Sequence, residues 1–204
     1  FLYKLTRKYA GSTTGLITLL FYTFNPYIFF YSRSFQPEST MLFFSITMIY
    51  FFSEWIDREE WWPFTLMTFC ATFAFLTKFP TICLGLPLLY LCIRKYKLNF
   101  LTQWKLWLFA VLSLSITFLW YKHANYLKSI DGLSVNSLSF SYYLKYSVYF
   151  LTNLHFYEKV FYAEVFEKDL IYIGGVFFVL GIIFTLKKKE FRYIHYWLLA
   201  IIIY

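Results

Sequence analysis

Apolar residues fill long stretches of this chain, and its charges fall almost wholly between those stretches. A membrane-spanning helix needs about 20 mostly apolar residues, and a charge at its centre costs on the order of 2.5 to 3.5 kcal/mol. The charges therefore mark the edges of spans. Read this way, the pattern predicts spans over residues 11–31, 39–55, 61–77, 80–93, 104–121 and 170–186, with a seventh starting near Tyr193. Pro63 suits the first turn of the third span. The fourth is short for a bilayer, and Lys95 and Lys97 can reach the headgroups by snorkelling.

Residues 122–169 follow a different pattern. A turn at Ser129-Ile130-Asp131-Gly132 and a Ser/Asn-rich piece lead into a strongly aromatic stretch over 140–166. There Ser141, Lys145 and Thr152 share one side of a helix whose other faces are aromatic and aliphatic. This predicts a helix lying in the membrane interface; the alternative, a further hairpin of membrane helices, is disfavoured by Lys145, His155, Glu158 and Lys159. The expected fold class is thus all-α, a polytopic transmembrane helical bundle. Its parts are 1–121 with five spans and short loops, 122–169 as a juxtamembrane segment, and 170–204 with the last two spans.

Composition agrees and narrows the field. Of 204 residues, 60% are hydrophobic, 26% aromatic and 15% charged, against about 25% charged in a soluble domain. A globule of this length leaves too much surface exposed to hide so much apolar area from water. Only seven Gly, five Pro and three Cys occur, which excludes collagen-like and disulfide-scaffold chains. The chain opens on Phe1 and stops inside an apolar run at Tyr204, so it is read as an internal stretch of a larger protein.

The net charge of +8 reports orientation. With the N-terminus cytoplasmic, that face holds Lys4, Arg7, Lys8, Arg58, Arg94, Lys95, Lys97, Lys105, Lys187, Lys188, Lys189 and Arg192. The short loops of the other face hold only Arg33 and Lys78. This asymmetry is the positive-inside pattern, to which the long segment 122–169 contributes little. No nucleic-acid partner is needed to account for the basic balance.

The two exceptions are the candidate chemistry. Arg33 lies in Tyr31-Ser32-Arg33-Ser34-Phe35-Gln36-Pro37-Glu38, a tight connection in which Pro37 starts the next helix and Glu38 occupies its first turn. Lys78 lies in Thr77-Lys78-Phe79-Pro80 at the next connection on the same face. Two cations and a carboxylate at headgroup level suit a lipid phosphate, with Arg as a bidentate fork and Lys as a point charge. In sugar transfer from a lipid phosphate the leaving phosphate gains charge, and cations fixed beside it favour the transition state. A carboxylate can serve as base toward the acceptor hydroxyl. The plainer alternative is an interfacial Arg33–Glu38 salt bridge worth about 0 to 1 kcal/mol and a snorkelling Lys78.

Other polar and sulfur groups read as structural. Cys70, Cys83 and Cys92 lie in apolar spans without ligand spacing and act as small core residues. His123, His155 and His195 read as solvated or interfacial, and Asp57, Glu59 and Glu60 as a solvated turn beside Trp61 and Trp62. Gly174, Gly175 and Gly181 suit close helix packing. No P-loop, Rossmann glycine pattern or HExxH occurs.

Residues 2–44, with Gly15 after a basic helix end, Asn25-Pro26, Tyr31-Ser32-Arg33 and Glu38, together with Thr77-Lys78, resemble the dolichyl-phosphate-mannose protein mannosyltransferase superfamily. This is a GT-C type family whose bacterial members include the aminoarabinose transferase of lipid A. The resemblance covers roughly residues 2–98; here Glu38 stands where Asp is commoner, and Phe79 where Gly is commoner. It implies a membrane glycosyltransferase moving a sugar, with inversion, from a polyprenyl-phosphate donor to an acceptor glycan, lipid or protein on the external or periplasmic face. It further implies that Lys78 contacts the carrier phosphate, Arg33 supports that site with Gln36 beside it, and Glu38 is a supporting acid. The main catalytic loop is expected before residue 1, so these residues alone are expected to be inactive. No cofactor and no metal ligand is expected, and the expected location is the plasma or inner membrane. A transporter or flippase is disfavoured because no span carries an ionisable residue near its middle, and a noncatalytic membrane subunit is the remaining alternative.

This topology puts Gln36 and Asn99 on opposite sides of the membrane. Single cysteines placed there, in a background lacking the native three, are expected to react with an impermeant maleimide from opposite faces, and labelling of both from one side would overturn the orientation.

Overall fold

The computed structural model describes residues 1–34, 36–131, 153, 155, 158, 173–188 and 191–203. The expected interfacial helix, with Ser141, Lys145 and Thr152, lies outside them. Among the described residues the secondary structure is helical throughout: α1 (Leu2–Ala10), α2 (Ser12–Phe24), α3 (Pro26–Arg33), α4 (Glu38–Arg58), α5 (Trp61–Thr77), α6 (Gly85–Tyr96), α7 (Trp104–Asp131), α8 (Ile173–Thr185) and α9 (Arg192–Ile203). Short 3-10 turns at Phe79–Leu84 and Lys97–Thr102 flank α6. The chain divides into two compact units, one of Phe1–Trp120 with Glu190–Ile202 and the other of Tyr121–Lys189.

Two described helices, α4 and Trp104–Ile130 of α7, are long and apolar enough to cross a membrane, and α2, α5 and α8 are shorter apolar helices. The fold is an all-α bundle of membrane helices. The first predicted span is broken in the structure. Asn25 is extended, its Oδ1 accepts the Ile28 amide at 3.1 Å, and Pro26 opens α3. A capping Asn followed by Pro at the first helical position ends one helix and starts the next. The third span, by contrast, coincides with α5.

At the start of the chain, α1 folds back on α2 through Gly11, whose φ of 88° lies in the left-handed region that glycine tolerates. Gly15 then sits against Tyr3: an added Cβ would lie 2.9 Å from the Tyr3 ring and 3.3 Å from its carbonyl oxygen. The helix is amphipathic, with Leu5 buried and Lys4 and Arg7 exposed.

The core of the first unit is built around α4. Met48, Ile49, Phe52 and Trp55 are almost wholly enclosed, and they meet Phe64, Met67, Ala71 and Ala74 of α5, with Leu88 and Leu91 of α6 and Phe109 of α7 in the same cluster. Phe52 and Phe109 pack edge to face at 5.7 Å, as do Trp55 and Phe64 at 6.0 Å. The α4–α5 connection is tight because Glu59 takes the left-handed conformation, with φ 58°, and its amide returns to the Trp55 carbonyl at 2.7 Å. Among the described side chains of α7, Phe109, Ser113 and Thr117 are the buried ones, one helical turn apart, and both hydroxyls bond back to their own helix. The rest of that helix presents Trp107, Val111, Phe118 and Leu119 outward. Such a surface belongs in lipid or against other membrane helices. In the second unit, Gly181 has nothing within 4 Å of where a Cβ would stand, so the close packing predicted for that glycine is absent among the described residues.

The acidic end of α4 is not simply solvated. Lys8 pairs with Glu54 at 2.9 Å and Asp57 at 2.6 Å, and Arg58 lies 3.3 Å from Glu54. Burial alone would lower the Lys8 pKa, but hydrogen bonds to Asp57 and Glu54 outweigh it and hold the ammonium above its ordinary value. Lys95 donates to the Ile56 carbonyl and lies 3.2 Å from Glu59, while Lys105 reaches the Glu59 carbonyl at 3.2 Å. Cations from α6 and α7 thus satisfy the free carbonyls at the negative end of the α4 dipole. The Tyr96 hydroxyl and the Lys95 ammonium hold the Glu59 carboxyl below the usual range. Its contribution is therefore present above that range and is lost as pH falls through the lowered value.

The Gly15–Tyr3 approach makes Gly15→Val an overpacking substitution. It is expected to destabilise the protein by about 1 to 3 kcal/mol, read as a lower midpoint in detergent-solubilised thermal unfolding, with Gly85→Ala, which meets nothing within 4 Å, as the near-neutral control.

Candidate functional site

The candidate residues sit at the end of α4 opposite the Lys8 cluster. After α3, Pro37 adopts helical angles and its carbonyl accepts the Met41 amide at 2.8 Å, so Glu38 is fixed as the first residue of α4. A carboxylate there faces the positive end of the helix dipole. On the neighbouring arm of the helical hairpin, α5 ends at Thr77 and Lys78 becomes extended, with φ −147° and ψ 114°. Pro80 cannot continue the helix, and a 3-10 turn begins instead. The antiparallel packing of α4 and α5 brings this corner beside Glu38.

Lys78 Nζ lies 2.5 Å from Glu38 Oε1, with the two side chains 32% and 29% exposed. This is a charge-assisted bond between two half-buried groups rather than a pair waving in solvent. The second oxygen, Glu38 Oε2, is enclosed and has no hydrogen-bond partner among the described residues. Thr81 locks the corner: its amide and its hydroxyl both donate to the Lys78 carbonyl, at 3.1 and 2.7 Å, and Thr81 itself is 3% exposed. Sequence reading missed Thr81. The available signal was a hydroxyl residue three positions after a lysine and directly after a proline, the spacing of a local side-chain-to-backbone bond.

Arg33 is placed differently from the turn-spanning bridge considered above. Its guanidinium stacks over the Phe29 ring of its own helix at 4.1 Å, and no Arg33–Glu38 ion pair forms. The arginine is exposed at the last turn of α3, and Gln36 is exposed in the bend that follows. The structure therefore joins Glu38 to Lys78 and leaves Arg33 and Gln36 at the surface of the same connection. A guanidinium over an aromatic ring has part of its charge balanced by the ring without spending its N–H donors.

Chemically, the site offers a lysine fixed against a carboxylate and an arginine at an exposed helix end. Among the described residues no three His, Cys, Asp or Glu side chains gather as a metal-binding group. Cys70 and Cys92 are buried and Cys83 half-buried, all as free thiols.

Residues 1–121 of the chain match the family described as dolichyl-phosphate-mannose-protein mannosyltransferase. That stretch contains Arg33, Gln36, Glu38 and Lys78 and ends inside α7. No curated protein and no solved structure matches the chain.

Because Glu38 and Lys78 are half-buried and in direct contact, a double-mutant cycle of Glu38→Gln and Lys78→Gln on unfolding stability is expected to give a coupling of about 1 kcal/mol or more, above that of most exposed pairs. A coupling near zero would show the contact to be incidental.

Proposed function

Since the chain belongs to the dolichyl-phosphate-mannose-protein mannosyltransferase family, we propose that Lys78, Arg33, Gln36 and Glu38 form the carrier-phosphate side of its sugar-transfer site. The family is one of membrane glycosyltransferases that use a polyprenyl-phosphate-linked sugar. The observation that carries the reading for this chain is the Lys78–Glu38 contact of 2.5 Å, made where two membrane helices meet a tight connection.

In this proposal the donor's phosphate enters beside Lys78 and Arg33, and Gln36 contributes an amide to its oxygens. The bond between the anomeric carbon and the phosphate oxygen breaks, and the electron pair stays on the leaving phosphate. Cations already in place stabilise that growing charge without reorganisation. An acceptor hydroxyl attacks the opposite face of the anomeric carbon in a single displacement, which inverts its configuration. Its proton passes to a carboxylate base, for which the main candidate is expected outside these residues. Glu38 is a supporting acid: through Oε1 it holds the Lys78 ammonium in place beside the phosphate. The acceptor is a glycan, lipid or protein on the external or periplasmic face, with the N-terminus of this stretch cytoplasmic. The Lys and Arg asymmetry supports that orientation.

In the full-length protein, Lys78→Ala is expected to lower transfer from a polyprenyl-phosphate sugar by about a hundredfold or more, and Arg33→Ala by at least about tenfold, with expression unchanged. Glu38→Asp should retain more activity than Glu38→Gln. Transfer near wild-type in both alanine variants would remove the assignment.

A further inference from the structure

At the other end of α4, a cavity of about 440 Å³ opens between α1 and α4, lined by Tyr3, Lys4, Arg7, Lys8, Tyr50, Glu54 and Arg58. We propose that it binds the phosphate headgroup of an anionic membrane lipid, at the membrane face opposite Glu38 and Lys78.

The charge balance comes first. The carboxylates here are committed: Glu54 meets Lys8 and Arg58, and Asp57 meets Lys8. Among the described residues neither Lys4 nor Arg7 pairs with a carboxylate. Lys4 stands 5.8 Å from the centre of the Phe1 ring, and Arg7 the same distance from that of Tyr3. Ring contacts of this kind orient a cation without using its N–H donors. Four cations therefore face two carboxylates, and the two uncompensated ones present unused donors at one opening. Phosphate is the anion that such a mixed Arg and Lys pair binds well.

The surroundings favour a lipid over a free ion. α1 runs alongside α4, from Phe1 against Phe43 and Tyr50 to Lys8 against Glu54 and Asp57, with Lys4 and Arg7 exposed toward the charged end of α4. From the cavity an aromatic surface leads toward the middle of α4. Phe1 contacts Tyr50 at 5.6 Å and Phe43 at 6.2 Å, and Phe43, two turns from Tyr50, is 52% exposed. On the other side Tyr3 touches Gly15 of α2, whose Leu16, Leu19 and Leu20 are exposed. A phosphate seated among the cations thus has apolar surface for its acyl chains on both flanks, which inorganic phosphate does not need.

The test uses the full-length protein in dodecyl maltoside micelles doped with phosphatidylglycerol or phosphatidylcholine, with bound lipid read by native mass spectrometry. Wild type is expected to retain phosphatidylglycerol in preference to phosphatidylcholine. Lys4→Gln/Arg7→Gln should reduce that retention by about fivefold for each cation removed, and Lys4→Arg/Arg7→Lys should restore it. Both residues are exposed, so the fold should survive. On unmodified protein, phosphatidylglycerol with a photo-crosslinking headgroup should label the peptide holding Tyr3 or that holding Tyr50. Equal retention of both lipids, unchanged retention in the Gln variant, or labelling confined to other peptides would overturn the proposal. Displacement of the lipid by excess inorganic phosphate would reassign the cavity to a free anion and overturn the lipid assignment.

Discussion

The bundle depends on α4 being tied by lysines at both ends. Glu38 opens this helix and holds Lys78 from the α5 corner. Glu54 and Asp57 near its other end hold Lys8 of α1, and Lys95 and Lys105 reach its last carbonyls from α6 and the start of α7. Each tie joins a different neighbour to the same central element. In a medium that offers apolar side chains no strong preference for one another, such polar ties at the headgroup levels set which helices are neighbours and in what vertical register. The aromatic contacts between Phe52, Trp55, Phe64 and Phe109 then fill the space between.

The candidate site exploits one of these ties. A lysine paired with a carboxylate in a half-buried corner is structural and chemical at once, since the bond that secures α5 against α4 also aims an ammonium. Thr81 adds rigidity from below by occupying the Lys78 carbonyl. Arg33 contributes by a separate route, over the Phe29 ring on a short helix made independent of α2 by Asn25 and Pro26. The two cations are thus mounted on different elements, one firmly packed and one at an exposed helix end.

Much of this was legible from charge placement alone. α5 falls between Glu60 and Lys78 because charges bound it on both sides, and α4 overlaps its predicted span for the same reason. The Asn25-Pro26 break was visible as two residues, yet the apolar run across it outweighed the local capping signal in a reading based on hydropathy. What could not be read were contacts between residues distant in sequence. Lys8 with Glu54 is separated by 46 positions, and no periodicity encodes that pair; Lys78 and Glu38, 40 positions apart, were brought to one membrane face by the topology, but not their direct bond. For the same reason Asp57 and Glu59 read as a solvated turn, when each is paired with a lysine of another element. Arg33 misled in the opposite sense. Proximity along the chain suggested Glu38, but a ring four residues earlier on the same helix was the nearer partner.

The separation of the two sets of ties has a further consequence. From Glu38 to Arg58 the helix measures about 30 Å, so charged groups that must stay at headgroup depth are held a fixed distance apart. A hairpin secured in this way cannot adjust to a thicker bilayer by sliding α4 past α5, because either motion would draw Lys78 or the lysines at the far end into hydrocarbon. It must tilt as a unit or thin the bilayer around it, at a cost of fractions of a kcal/mol for each ångström of mismatch. The pair of charged ends therefore fixes the apolar length of the hairpin, so a bilayer of different thickness changes its tilt and leaves the Lys78–Glu38 contact as it is.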